Sequence, residues 1–181
     1  MEFSDILNIM GSLLYPLLLL SVLALFFIFE RGIFFILLGK RKGADDLAIL
    51  KNALSTNKDL SKDLRDEIMS FYLVNLQESY EKGIRFMRML AAIAPMLGLL
   101  GTVIGMIDSF EVISLSNEPV APAQIAASMK LAMFTTAYGL IIAIPCLFFA
   151  YLYTRISERR IAFFQKELNQ KSLEIDGAKI A

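Results

Sequence analysis

Residues 94–107 read Ala-Pro-Met-Leu-Gly-Leu-Leu-Gly-Thr-Val-Ile-Gly-Met-Ile, a stretch apolar enough for a bilayer yet almost without bulk on one side. On a helix, Ala94, Gly98, Gly101 and Gly105 recur at steps of three or four and share one stripe, with Thr102 beside it. In water each of these glycines would weaken a helix by about 1 kcal/mol relative to alanine. In lipid the same stripe lets a second helix approach backbone to backbone. The stretch therefore predicts a helix built to be packed against, with the Thr102 hydroxyl in the seam.

The rest of the chain agrees with a bilayer. Of 181 residues, 56% are hydrophobic and mean hydropathy is +0.58, with the apolar residues blocked into long runs. This is the composition of an integral membrane protein. Formal net charge is zero, so no bulk charge points to nucleic acid. There is no histidine, and Cys146 is alone in an apolar run. Disulfides, Cys/His zinc sites and a histidine base are thereby excluded within one chain. Residues 1–12 carry Glu2 and Asp5 but no Lys or Arg, so a cleavable signal is not expected.

Three spans are predicted, at 13–38, 89–113 and 123–153. The first carries Pro16 near its start and Glu30-Arg31 near its end, an interfacial anchor, with Lys40-Arg41-Lys42 directly after it. Its length gives roughly 39 Å of helix, enough to cross with tilt. Residues 39–88 form a polar helical region. Asp45 and Asp46 open a short helix ending near Lys51, and residues 55–59 form a turn. From Ser61, a candidate N-cap, the residues Leu64, Ile68, Phe71, Tyr72 and Leu76 repeat at helical spacing. Gly83 is a single weak breaker, so this helix is expected to run into the second span. Residues 114–122 are a tight loop, and 154–181 continue the third span as a polar helix to about Lys171 before fraying.

Basic residues set the topology. Of 18 Lys and Arg, ten lie in 40–88 and six in 155–179; residues 1–12 and 114–122 have none. The N-terminus (1–12) and the 114–122 loop are expected outside, in the periplasm. The 39–88 region and the C-terminal tail are expected in the cytoplasm. The fold class is thus an all-α membrane protein with three transmembrane helices, N-out and C-in, the second and third extended into the cytoplasm.

The third span has its own small and polar line: Ser128, Ala132, Thr135, Gly139 and Ala143, with Thr136 alongside and Pro145 further on. The short loop makes spans two and three antiparallel neighbours. Counting inward from 113 and 123 puts Thr102 level with Thr135, both roughly 17 Å deep. Asp108 and Lys130 land level at roughly 8–10 Å, with Glu111 nearer the outer mouth. Each threonine can simply bond back to its own helix, or the hydroxyls can line a constriction that orders water for a cation or proton. Asp108 and Lys130 either snorkel to the outer interface or pair across the helices, because a bare charge at that depth costs a few kcal/mol. No carboxylate occurs from Lys82 to Ile107, and only Glu118 from Val112 to Ser157. A proton path needs a titratable group in mid-membrane. If this chain conducts protons, another chain must supply the acid.

At this point the sequence resembles the MotA/TolQ/ExbB proton-channel family. Residues 94–107 followed by Phe110 resemble its second-span signature, and residues 135–145, Thr-Thr-Ala-Tyr-Gly-Leu-Ile-Ile-Ala-Ile-Pro, its third-span signature. The short length is closest to ExbB and TolQ subunits. The resemblance implies a homo-pentamer in the bacterial inner membrane around a central pore. That pore would hold the helices of a single-span ExbD/TolR-type dimer whose Asp carries the proton, with a TonB- or TolA-like protein beyond. It implies that Thr102 and Thr136 are functional threonines, and that Ala94, Pro95, Gly98, Gly101, Gly105, Gly139 and Pro145 set helix packing. Many family members carry a Glu five residues before the threonine matching Thr136; here that position is Leu131, after Lys130. The expected function is a proton-channel or stator subunit, with a non-conducting scaffold as the alternative. A membrane enzyme is not expected, nor any cofactor: Gly98, Gly101 and Gly105 lie in an apolar helix and form no nucleotide loop.

Overall fold

The computed structural model describes residues 13–38, 43–115 and 122–176, apart from the side chains of Val112, Gln124, Ala127, Ser128 and Leu131. The expectations for residues 1–12, Lys40-Arg41-Lys42, the loop at 116–121, residues 177–181, Ser128 and Leu131 lie outside the described residues. What is described is all-α, with no strand. Four helices follow in order: α1, Leu14–Leu37; α2, Gly43–Thr56; α3, Lys62–Leu115; and α4, Pro122–Ile175.

Among the described residues three helices are long and apolar enough to cross a membrane: α1, α3, and α4 from Ala132 onward. Each of α3 and α4 has 54 residues, so each exceeds the roughly 30 Å of bilayer hydrocarbon more than twofold. Gly83 does not interrupt α3. The polar cluster after Lys51 is not all turn either, and α2 continues to Thr56. The Ser55 and Thr56 hydroxyls donate to the Asn52 carbonyl at 2.8 and 3.0 Å, and the Asn57 amide donates to Ala53 O at 2.8 Å. Polar side chains thus accept the role of capping the last turn, while Leu50 and Leu54 are buried beneath it. Helix α4 opens on Pro122, whose missing N–H costs nothing at a first position, and runs one turn past Lys171.

The chain forms two compact units. The first holds the described parts of Met1–Ile28 and Phe86–Phe149. In it the buried Leu14 and Leu17 of α1 pack on Leu97, Tyr138 and Ile142, and Phe27 stacks on Phe86 at 5.5 Å. Cys146 is fully buried and its thiol donates to Met87 O at 3.2 Å, a packing role for the lone cysteine. Large apolar side chains cover the outside: Met96, Phe110 and Met133 are 69%, 68% and 71% exposed. A surface of that kind belongs against lipid or another chain.

The second unit holds the described parts of Phe29–Arg85 and Ala150–Ala181. Phe35 stacks on Tyr153 at 5.4 Å. Arg31, expected as an interfacial anchor, is packed within this unit. Its side chain is 13% exposed, pairs with Glu30 at 2.7 Å and lies against Gly83, where the absent Cβ leaves the guanidinium room. Tyr80 is buried, donates to Asp46 Oδ2 at 2.6 Å, and ties α2 to α3. Burial and then that hydrogen bond push its phenol above the usual tyrosine range. Lys51 pairs with Glu167 at 2.7 Å. Arg65, 1% exposed, donates to Ser172 Oγ, Ser172 O, Lys58 O and Asp176 Oδ1, the last at 2.6 Å. Ser172 in turn donates to Asp66 at 3.0 Å.

Candidate functional site: the seam between α3 and α4

The small residues of α3 and α4 face each other in the first unit. A Cβ added at Gly139 would lie 2.6 Å from Ala94 O and 3.3 Å from Gly98 Cα. One added at Gly98 would lie 2.9 Å from both Thr135 O and Thr136 Cα. One added at Gly101 would run into the Thr135 side chain. Backbone therefore touches backbone along this line, the close approach that small residues permit between membrane helices. Ala94, Ala132, Thr135 and Ala143 are all buried in it.

Two hydroxyls converge on one carbonyl. Thr136 Oγ1 donates to Gly98 O at 3.0 Å. Thr135 Oγ1 lies 3.3 Å from the same oxygen and 2.8 Å from Ala132 O on its own helix. A hydroxyl has one proton, so Thr135 divides it between its own turn and the neighbour. Thr135 is 1% exposed; Thr136 is half-buried.

Thr102 lies next to Gly101, so its level relative to Thr135 agrees with the sequence expectation to within a turn. Its hydroxyl, however, donates to Leu99 O at 2.7 Å on its own helix. The carbonyl of Gly98, which no side-chain pattern could flag, takes the place opposite the α4 threonines. Gly105 is buried and its carbonyl accepts from Ser109 at 2.8 Å. Pro95 and Pro145 sit inside their helices; each removes one ladder donor, from the carbonyl four residues back.

The charges expected at the outer mouth do not come together. Asp108, Glu111 and Lys130 are exposed. Among the described residues no ion pair joins Asp108 to Lys130. Lys130 Nζ instead lies 5.9 Å from the Phe134 ring centre, a cation–π distance. Nor do the described residues bring three or more metal-ligating side chains together.

Residues 43–166 match the MotA/TolQ/ExbB proton channel family, a range that contains α2, α3 and the seam. The chain is 32% identical over 124 residues to the biopolymer transport protein exbB1 of Vibrio cholerae, covering 68% of this chain. It is 28% identical over 124 residues to a putative ExbB homologue of Methanothermobacter thermautotrophicus, covering 67%. It is 27% identical over 181 residues to a putative ExbB-like protein of Synechocystis, covering 85% of this chain and 71% of that protein. The chain spans about half the length of the first two relatives, 54% and 43%. A seam of small residues carrying two threonine hydroxyls in an all-α membrane fold, and a match across most of the chain, agree on one conclusion: the chain belongs to the MotA/TolQ/ExbB proton channel family.

Proposed function

We propose that the chain is a proton-channel or stator subunit of an ion-driven motor in the bacterial inner membrane. It is N-out and C-in, and it couples the proton motive force to work at the outer membrane. The observation that carries this reading is the seam. Two hydroxyls, Thr135 and Thr136, are aimed at Gly98 O in a helix pair whose spans hold no carboxylate between Lys82 and Ile107. Such a seam can order water or support a neighbouring acid, but it cannot itself carry the proton. The acid comes from a single-span ExbD/TolR-type dimer seated in a pore formed by five copies of this chain, with a TonB- or TolA-like protein receiving the work. The exposed apolar residues of the first unit, Met96, Phe110 and Met133 among them, supply surface for lipid, sister copies and that dimer. Thr102, Thr135 and Thr136 border the path. Each proton moved down the potential releases about 2.3 kcal/mol per 100 mV.

The test is proton flux in liposomes with a co-expressed single-span partner. Thr135→Val and Thr136→Val together are expected to cut partner-dependent flux about tenfold or more, the scale of one lost polar contact to a charge. Flux unchanged in the double variant removes the hydroxyl path. No flux from the unaltered pair favours the non-conducting scaffold.

A further inference from the structure

The second unit contains an open cavity of about 600 Å³, within the range of small-molecule sites. One wall is the first turn of α2: Gly43, Ala44 and Leu47. The other is α4, with Ile156, Phe163 and Phe164 around Arg159 and Arg160. The site is electropositive: both guanidiniums line it, and that of Arg160 rests against Gly43, in the space a Cβ would take.

Neither arginine has an ion-pair partner among the described residues. Arg31, Arg65 and Arg155, by contrast, each have a carboxylate within 4 Å. The two acids of the first turn of α2 do not fill the cavity. Asp46 is taken by the Tyr80 hydroxyl, and Asp45 is not part of the lining. The remaining walls are apolar, which lowers the local dielectric and strengthens attraction for an anion. Two guanidiniums side by side are donors of the kind that phosphate oxygens prefer.

Its place in the chain narrows the source of that phosphate. Gly43 abuts Leu38 O, at the end of the first span. Tyr153 of α4 stacks on Phe35 of that span, and Ile156 to Phe164 begin less than a turn beyond it, at roughly headgroup distance. We propose that this cavity seats the phosphate headgroup of an anionic membrane lipid, with Arg159 and Arg160 as its donors. The inference rests on the membrane fold and is independent of whether the seam conducts protons.

Native mass spectrometry of the purified full chain in neutral detergent tests it, with phosphatidylglycerol, phosphatidylcholine and inorganic phosphate as separate probes. The expected result is retained phosphatidylglycerol over phosphatidylcholine. Arg159→Gln with Arg160→Gln should lower phosphatidylglycerol occupancy about tenfold or more, as loss of charge-assisted hydrogen bonds predicts. Arg159→Lys with Arg160→Lys should keep most of it, and the melting temperature of both variants should stay within about 2 °C of the parent. Equal retention of the two lipids overturns the proposal. So does unchanged phosphatidylglycerol occupancy in the glutamine variant, or binding of inorganic phosphate that phosphatidylglycerol does not displace.

Discussion

Gly139→Ala probes the seam at its tightest point. The new Cβ would stand 2.6 Å from Ala94 O, and that atom is backbone, so no side chain can swing aside. Ordinary contact begins near 3.4 Å, so α3 and α4 must part locally by about 0.8 Å. Overpacking of this kind costs about 1–3 kcal/mol. Parting the helices also stretches the Thr136–Gly98 bond from 3.0 Å past hydrogen-bond reach, which removes about 1 kcal/mol more. Against this, alanine is favoured over glycine in a helix by up to about 1 kcal/mol. The net is a loss of about 1–3 kcal/mol, or roughly 2–12 °C in melting temperature for a chain of this size. The assay is thermal unfolding of the detergent-solubilised chain, followed by circular dichroism, beside a Gly98→Ala variant. Gly98→Ala needs less movement, because its closest contacts are 2.9 Å, and should lose less. A Gly139→Ala variant that melts at or above the parent temperature would refute the backbone-contact reading of the seam.

Other outcomes follow from the second unit. Arg65→Ala deletes a buried cation and strands Ser172 and Asp176; it should cost about 3 kcal/mol, the low end for a buried pair because Asp176 is a third exposed. Limited proteolysis near Lys171 should become much faster, and unchanged protection would show that the clamp does not hold the end of α4. Tyr80→Phe tests the pH dependence. The folded Tyr80 pKa lies above its unfolded value of 10.0, so its contribution is fully present below pH 10 and is lost as pH rises further. Between pH 9 and pH 11 the parent should therefore lose more stability than Tyr80→Phe in denaturant melts, and identical slopes would contradict the assigned environment.

Much of this molecule is legible in its sequence. The three apolar runs follow from composition, because a bilayer demands about 20 apolar residues per helix and tolerates nothing else. The stripes of Ala94, Gly98 and Gly101 against Thr135 and Gly139 follow from helical periodicity and a short connection, since those two facts leave antiparallel packing with one register to within a turn.

The finer choices were not legible. Thr102 and Thr136 look alike as residues, yet one bonds back to Leu99 and the other across to Gly98. The difference of rotation that decides this is a fraction of a turn, below what periodicity resolves. Arg31, read as an anchor, is packed against Gly83, and Arg65 closes on Ser172 and Asp176 more than a hundred residues away. Asp108 and Lys130, level by count, do not meet. The sequence alone determined which segments leave water and which faces are thin enough to touch, because those depend on composition and local spacing. Only the tertiary structure decided which donors find which acceptors, because that depends on ångström-scale rotations and on partners far apart along the chain.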